Sequence, residues 1–373
     1  MVVLMKRTVA ILDGDVHQRI ELTGMLQSVY RVRGYGEPAL ALTEMQMEPP
    51  DVILLGQRIG EVSGFAFARD LRRNRRFAAI PFICISEKED SRLRDQLLLV
   101  GVKMMLVQPV DQRALMAAID GMMSAEVERG WKELPKPQRK ALEGTISAFN
   151  NVARDLAEGR PPAIGPVSEA CASLVDVVAK GDLAPLLDKI RNHDNFTYVH
   201  SMRFAAFMAL FAQTIGLPRD MQIQVATGGL LHDMGMMTIP PWILHKQEVL
   251  TAAEWKMVKN HVPTAQKLLQ AMGQVGRGIE IIVGQHHERL DGSGYPLGLK
   301  GAQLNELARM AGIIDVFCGL TDRRPYKSPL SANAALEMMA TTMSGQLDMD
   351  LLPRFRDILL ATIPAGQEIE EVS

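Results

Sequence analysis

The chain has 373 residues, of which 47% are apolar and 23% are charged, and its formal net charge is −2 at pH 7. This composition is ordinary for a globular protein and excludes a largely disordered chain, and the length allows two or three domains. The balanced charge excludes a general polyanion binder, so we expect no long nucleic acid as a partner.

The sequence gives no sign of export or of membrane insertion. The N-terminal segment MVVLMKRTVAIL lacks a small-residue cleavage site and runs directly into a strand pattern, which argues against a signal peptide. The apolar stretch 204–216 is interrupted by Gln213 and is shorter than the roughly 20 residues that cross a bilayer. Cys84, Cys171 and Cys318 lie far apart, as is usual for buried thiols in a reducing compartment. We therefore expect a cytoplasmic protein with no membrane span and no disulfide.

Short apolar runs alternate with amphipathic segments over residues 1–123. The runs TVAIL, YRVRGY, DVILL, IPFICI and MMLV predict five strands, and the segments between them predict helices. Strands that alternate with helices predict an α/β doubly wound parallel sheet with helices on both faces. In such a sheet, functional side chains gather at the carboxyl ends of the strands.

These 123 residues resemble the receiver domain of two-component signalling, with departures at its working positions. After the first strand, LDGD offers Asp13 and Asp15 but places Gly14 where the resemblance implies the second acid of a magnesium site. Gly56 follows the third strand, where the resemblance implies the aspartate that accepts phosphate, and Gln108 replaces a lysine. We therefore predict a non-phosphorylatable pseudo-receiver with a regulatory or dimerisation role.

Two details of this domain remain as expectations. Asp13 and Asp15 are expected to cap the first helix, and weak cation binding is the alternative. Ser86 keeps the hydroxyl that follows the fourth strand.

A helical linker is predicted over residues 124–166, which are polar and punctuated by proline and glycine. Apolar residues at helical spacing from Arg139 to Glu158 predict a helix that packs on another helix or on a second subunit, and a homodimer through it or through the pseudo-receiver is a hypothesis. Residues 167–363 have helical patterns almost throughout and predict an all-α domain, followed by a C-terminal tail at 364–373.

Five of the eight histidines lie in or beside helix-forming segments of the second domain. They are His200, His232, His261, His286 and His287. A single such histidine would more often be an ordinary buried residue, but several imidazoles with carboxylates suit iron, manganese or zinc. His232 and Asp233 are adjacent and would point about 100° apart on a helix, so we expect them to address two cations, with the carboxylate bridging. His286 and His287 are expected to do the same, and Asp315 would complete the ligands.

The motifs HSxR, LHDxG, HxPTA, HHExxDGSGYPxGLxG and DVFxxxTDRRPYK resemble the HD-GYP family over about residues 167–355. The resemblance implies an all-helical bundle with a two- or three-metal centre, commonly containing iron, that hydrolyses the bacterial second messenger cyclic di-GMP. The metal ligands it implies are His200, His232, Asp233, His261, His286, His287 and Asp315. Members with a third metal carry a glutamate where this chain has Phe196. We therefore expect two divalent transition metals, iron first, with manganese, zinc and nickel as alternatives.

Other residues are expected to contact the substrate. Arg324 and Lys327, in RRPYK, are expected to pair with phosphate oxygens and to act in catalysis together with Asp233. A solvated surface role is the alternative for both cations. In the loop DGSGYP, Gly292 and Gly294 are expected to let the backbone approach a ligand, and Tyr295 to offer its ring and hydroxyl. The alternative for this loop is a tight turn without a binding role.

Two departures from the family pattern bear on activity. Met236 replaces a lysine next to the metals, and Cys318 replaces an aspartate three residues after the last ligand. The first hypothesis is a phosphodiesterase, slowed by these changes, that converts cyclic di-GMP to pGpG and, in a possible second step, to GMP. The alternative is a weak or inactive signalling protein that binds cyclic di-GMP or a protein partner. A third interpretation is hydrolysis of another phosphoester, such as a different cyclic dinucleotide or a nucleotide.

Overall fold

The computed structural model describes residues 7–102, 104–191, 193–244, 246, 248–322 and 329–362. The chain divides into two compact units. One contains the residues up to 126 together with 240–249, and the other contains 127–239 together with the residues from 250 onward. Among the described residues, no helix combines the length and the apolar character that a bilayer crossing requires.

The first unit is built on a five-stranded parallel sheet, as the alternating pattern predicts. The strands are β1 (Thr8–Leu12), β2 (Arg31–Tyr35), β3 (Val52–Leu55), β4 (Arg58–Ile59), β5 (Val62–Ser63), β6 (Phe82–Ser86) and β7 (Met104–Val107). The strand order in the sheet is β2-β1-β3-β6-β7, and β4 pairs with β5 in a small antiparallel ribbon. The helices that follow them are α1 (Val16–Leu26), α2 (Pro38–Met47), α3 (Gly64–Arg73), α4 (Ser91–Leu99) and α5 (Gln112–Gly130).

Both faces of this sheet are buried. Successive residues of β1 point to opposite sides, so that Ala10 and Leu12 join one apolar cluster whereas Val9 and Ile11 join another. This two-sided burial is what a doubly wound sheet requires, and it explains why the inner strands β1, β3 and β6 consist almost entirely of apolar residues.

The carboxyl edge of the sheet shows how the chain fills the position of the missing aspartate. A Cβ at Gly56 would lie 2.0 Å from Asp13 Oδ2, so the Asp13 side chain occupies that space. Burial raises the pKa of the Asp13 carboxyl. Asp15 accepts a hydrogen bond from the backbone N–H of His17 at 2.8 Å, which confirms its expected capping role at α1. The Ser86 hydroxyl accepts from Gln57 Nε2 at 2.9 Å.

The second unit is helical in its described part. The remaining helices of the chain are α6 (Lys136–Ala157), α7 (Ile164–Ala179), α8 (Leu183–Ile190), α9 (Phe196–Thr214), α10 (Arg219–Leu231), α11 (Pro241–Leu244), α12 (Ala252–Lys259), α13 (His261–Ala271), α14 (Arg277–Gln285), α15 (Glu306–Thr321), α16 (Ala332–Thr342) and α17 (Leu351–Thr362). Three short 3₁₀ helices cover Trp131–Glu133, Met234–Thr238 and Gly301–Gln303. All of these except α11 belong to the second unit.

Helix α6, in the segment expected to be a linker, packs on α7 inside the second unit. Its apolar residues Leu142, Phe149 and Val152 are buried in the same core as Val167 and Leu174 of α7. The described part of this helix therefore uses its apolar face within its own unit.

Close packing of α9 and α10 brings the first histidines together. Gly229 of α10 lies against α9 so closely that a Cβ there would be 2.7 Å from Ala205 Cα. Only glycine allows this approach. His200 lies in α9, and His232 caps the C-terminal end of α10, so this contact fixes the spacing of their rings.

Candidate metal centre

Seven side chains converge between the helices of the second unit, and they are the seven that the sequence proposes as metal ligands. Their potential ligand atoms form two groups, and within each group all the atoms lie within 4.8 Å of one another. The first group is His200, His232 and Asp315, and the second is Asp233, His261, His286 and His287.

The carboxylate of Asp233 faces both groups. Its Oδ2 lies 3.5 Å from His232 Nε2 and 3.7 Å from His200 Nε2. Its Oδ1 lies 3.1 Å from His261 Nε2 and 3.7 Å from His286 Nε2. One carboxylate thus presents one oxygen to each set of imidazoles, which is the arrangement expected for a bridging ligand.

Asp315 spans the two groups in the same way. Its Oδ1 lies 3.7 Å from His200 Nε2, and its Oδ2 lies 3.0 Å from His287 Nδ1. His286 and His287 differ from the expectation that they divide between two cations, because both belong to the second group. Their backbone follows the end of α14 rather than continuing the helix, so a spacing of about 100° does not apply to both rings.

Backbone carbonyls hold three of the rings. Nδ1 of His232 lies 2.7 Å from the carbonyl oxygen of Gly229, and Nδ1 of His261 lies 2.7 Å from that of Val258. Nδ1 of His286 lies 3.0 Å from the carbonyl oxygen of Ile282. A carbonyl can only accept, so each Nδ1 carries the proton, and the neutral ring then presents a lone pair at Nε2.

These Nε2 atoms face each other across the centre. His232 Nε2 lies 3.2 Å from His200 Nε2, and His261 Nε2 lies 3.4 Å from His286 Nε2. Two lone pairs at such distances would repel, so each pair requires a proton or a cation between its nitrogens.

The pKa shifts have opposite directions within each facing pair. Burial lowers the pKa of His232 to about 3 and that of His286 to about 4. Burial also opposes the charged form of His200 and His261, but the carboxylates of Asp315 and Asp233 outweigh it and raise both pKa values. The centre therefore favours positive charge at two positions.

The donor set fits divalent cations. Metal–ligand distances of about 2.0–2.2 Å place neighbouring ligand atoms roughly 3.0–3.4 Å apart, close to the separations found here. Asp233 Oδ1 is buried and faces the imidazole nitrogens of His261 and His286, as expected of a carboxylate oxygen that would bind a cation. Burial raises the pKa of the Asp233 and Asp315 carboxyls, but the nearby histidines outweigh it, so both pKa values lie well below their ordinary range.

The loop DGSGYP is tied to the centre by Glu288, a buried residue that the sequence interpretation passed over. Its carboxylate accepts hydrogen bonds from the backbone N–H groups of Leu297 at 2.7 Å and Leu299 at 2.9 Å. A Cβ at Gly294 would lie 2.5 Å from the carbonyl oxygen of His287, so this glycine is required by the approach of the chain to itself. Gly292 has a φ of +80°, a left-handed backbone conformation that glycine adopts more easily than other residues.

Tyr295 forms an aromatic rim beside the second group. Its ring centre lies 4.6 Å from that of His287 and 6.2 Å from that of His261. Lys259 Nζ lies 5.3 Å from the Tyr295 ring centre and 5.7 Å from that of Trp255. The rim thus combines aromatic surface with positive charge.

The remaining positions named from the sequence have different outcomes. Arg324 and Lys327 lie outside the described residues. Cys318 is fully buried in an apolar cluster with Phe207 and Phe355, and Met236 is partly buried. Neither side chain brings a charge to the centre.

Asp322 and Arg203 lie within the quoted motifs, but the sequence analysis assigned no role to either of them. Asp322 Oδ2 lies 2.6 Å from His200 Nδ1, and Arg203 donates to the other oxygen of the same carboxylate. The contact of this carboxylate with His200 and its pairing with Arg203 can be recognised only in the folded structure.

The comparisons with known proteins agree with this two-part organisation. Residues 9–120 match the response regulator receiver domain, and residues 185–351 match the HD domain. The cyclic di-GMP phosphodiesterase response regulator RpfG of Xanthomonas campestris is 29% identical over 94% of this chain and 86% of its own length. The cyclic di-GMP phosphodiesterase PA4108 of Pseudomonas aeruginosa is 32% identical over 59% of this chain and 56% of its own length.

A solved structure supports the fold of the helical part. Bd1817, an HDG"Y"P protein from Bdellovibrio bacteriovorus, is 18% identical, covers 65% of this chain and 80% of its own chain, and has a TM-score of 0.51. Together these matches show that the chain combines an N-terminal region that matches the response regulator receiver domain with a region that matches the HD domain.

Proposed function

We propose that the chain is a metal-dependent phosphodiesterase that opens cyclic di-GMP to linear pGpG. The observation that carries the proposal is the convergence of seven imidazole and carboxylate side chains into two cation-sized groups. The names of the relatives RpfG and PA4108 support the choice of substrate, and the HD domain itself implies divalent metal binding.

The protein's own side chains would prepare the centre for this reaction. Divalent ions at the two groups would lower the pKa of a water molecule and neutralise charge on the phosphodiester. Asp233 and Asp315 each reach both groups, so they would set the separation of the two sites and balance their charge. Hydrogen bonds at Nδ1 hold His232, His261 and His286 with Nε2 directed inward.

Substrate contacts are proposed at the rim and in the following segment. The Tyr295 ring lies beside His287, where it can meet a nucleotide base or sugar, and Lys259 adds positive charge there. Arg324 and Lys327 are proposed on sequence grounds to bind phosphate oxygens. Iron is proposed as the native metal, with manganese, zinc and nickel as alternatives.

The rate is proposed to be low. Met236 and Cys318 leave the centre without two charged side chains that the family pattern implies. Loss of one catalytic electrostatic contact costs on the order of 100- to 1,000-fold in rate. The metal ligands are unaffected by these substitutions, so slow turnover is expected rather than none.

The test is product analysis with the purified full chain. Protein prepared without oxygen and loaded with iron or manganese is incubated with cyclic di-GMP, and the products are separated by chromatography. We expect pGpG, with GMP appearing later if a second bond is cut. Asp233→Asn should form no product, whereas Asp350→Asn, at an exposed position, should match the wild type.

The second candidate is a signalling protein that binds cyclic di-GMP without turnover. The uncharged Met236 and the buried Cys318 favour it, because neither can assist phosphate chemistry. Binding of cyclic di-GMP with no linear product would contradict the enzyme and support this candidate. Absence of binding, with hydrolysis of another cyclic dinucleotide or nucleotide, would redirect the substrate assignment.

A further inference from the structure

His200 is held differently from the three rings that backbone carbonyls anchor. Its Nδ1 lies 2.6 Å from Oδ2 of Asp322, and both side chains are buried. A carboxylate accepts and does not donate when ionised, so Nδ1 carries the proton and Nε2 is left to face the other ligands. The negative charge of the carboxylate also makes Nε2 more basic, and so a stronger metal ligand, than a neutral carbonyl at Nδ1 would.

The Asp322 carboxylate is itself held in place. Arg203 donates from Nη1 to Oδ1 of Asp322 and from Nη2 to the Thr321 hydroxyl at 2.9 Å. The Thr321 hydroxyl lies 2.8 Å from the carbonyl oxygen of Phe317, and the Asp322 backbone N–H donates to that of Cys318 at 2.7 Å. A buried carboxylate is costly unless it is paired, and Arg203 provides that pairing.

Helix α15 and its C-cap therefore contact both nitrogens of His200. Asp315, within α15, lies 3.7 Å from Nε2 through its Oδ1. Asp322 follows the last residue of the helix and contacts Nδ1. Positions seven apart on a helix lie on the same face, which explains how one segment reaches both ends of the ring.

We infer that Asp322 is a positioning residue of the metal centre, which fixes the orientation and the protonated nitrogen of His200 and strengthens its Nε2 as a donor to a cation in the first group. This inference rests on the metal centre in the proposed function. Asp322 also lies close in sequence to a proposed substrate contact, because Arg324 is only two residues further along the chain. The residue that orients His200 and the residue proposed to bind phosphate are thus near neighbours in the sequence.

The experiment measures metal affinity in the full chain carrying Asp322→Asn. Asparagine can still accept from His200 Nδ1 but removes the negative charge. Loss of such a supporting partner typically weakens metal binding about 10- to 100-fold. Mn²⁺ affinity is measured by calorimetry, stoichiometry by elemental analysis, and the donor environment by the visible absorption bands of the Co²⁺-loaded protein. We expect weaker binding and altered Co²⁺ bands, with unchanged circular dichroism.

Two further variants make the result decisive. Asp176→Asn removes an exposed carboxylate that pairs with Arg219 in the same unit, and it should leave Mn²⁺ affinity and the Co²⁺ bands unchanged. If Asp322→Asn does not fold because Arg203 is left unpaired, the double variant Arg203→Met with Asp322→Asn removes both charges and should show the same loss of affinity.

The outcomes separate the inference from the proposed function. A wild-type chain that binds no divalent ion would remove the metal centre and the phosphodiesterase proposal with it. A wild-type chain that binds metal, with wild-type affinity and Co²⁺ bands in the folded Asp322 variants, would overturn the role of Asp322 alone.

Discussion

His200 and His261 are the rings of the two facing pairs whose pKa is raised, so they are the ones at which a proton competes with a bound cation. Each faces a ring that burial keeps neutral, and each has a pKa raised above its ordinary value of 6.5 by a neighbouring carboxylate. Because a metal ligand must be unprotonated, metal and proton compete for the same nitrogen. The shifts therefore link metal affinity to pH.

We predict that Mn²⁺ affinity falls as the pH decreases through the raised pKa values of His200 and His261. Above both values the four facing rings are neutral and the affinity is constant. Below each value one proton must leave the group that binds the ion, so the affinity of that group falls by up to about one order of magnitude per pH unit. Calorimetry in buffers of different ionisation enthalpy measures both the affinity and the protons released.

The control for this prediction is His17→Asn, which changes an exposed histidine in the first unit and should leave the pH profile unchanged. An affinity that stays constant from below pH 6.5 to above it, or ion binding without proton release on the acid side, would contradict the assignment of these protons.

The candidate ligands could be named from the sequence because histidines beside acids in several motifs are uncommon outside metal sites. The division of the ligands into two groups could not be predicted from the sequence, because it depends on which oxygen of Asp233 lies near which imidazole ring. Asp322 and Arg203 were missed for a related reason. Their contacts join residues 122 and 119 positions apart, and no local pattern reports such pairings.

At the scale of elements, the approach of α9 to α10 sets the distance between His200 and His232. We predict that Gly229→Ala destabilises the second unit by about 1–3 kcal/mol, because the added methyl would overlap the Ala205 backbone. The same change should weaken Mn²⁺ binding, since it moves His232 relative to His200. Urea unfolding followed by circular dichroism measures the stability, and calorimetry measures the binding.

Gly319→Ala is the matched control for Gly229→Ala. Gly319 also lies in a helix of the second unit, but a Cβ there would meet no atom within 4 Å. Alanine should stabilise that helix by up to about 1 kcal/mol. Equal stability of Gly229→Ala and the wild type would show that the two helices can separate without cost.

The helices and strands that could be predicted from the sequence are those with a clear pattern of apolar residues. All five strands of the parallel sheet were found, because β1, β3 and β6 are buried apolar runs and the more exposed β2 and β7 alternate with helix-forming segments in the same way. The ribbon of β4 and β5 was not found, since strands of two residues have no measurable period. For α6 the helix was predicted within three residues of its observed start, but its packing on α7 could not be read from the apolar stripe alone.

At the scale of the whole molecule, the position of α6 bears on where the helical domain begins. We predict that a fragment starting at residue 127 unfolds cooperatively, whereas one starting at residue 167 does not. The shorter fragment would expose the face of α7 that covers Leu142, Phe149 and Val152 in the full chain. Thermal unfolding by circular dichroism measures the difference. Equal transition temperatures would show that residues 127–166 are dispensable, as a simple linker would be.

The first unit leads to a prediction about signalling input. We expect acetyl phosphate with Mg²⁺ to leave the chain unmodified, because Gly56 has no acceptor and Asp13 fills the space beside it. Intact-mass spectrometry measures the result, and a receiver that retains its acceptor aspartate, treated alongside, shows that the reagent is active. A labile phosphoryl group on Asp13 or Asp15 would contradict the prediction.

The facing nitrogens of the centre have a consequence for how long the protein survives in a cell. An ion bound only by the folded chain stabilises it by about 2.7 kcal/mol at a free concentration of about 100 times Kd. The chain without an ion lacks this stabilisation, so it opens more readily to proteases. Cells deprived of transition metal should therefore degrade this protein faster, so that its abundance, and not only its turnover rate, follows the supply of metal.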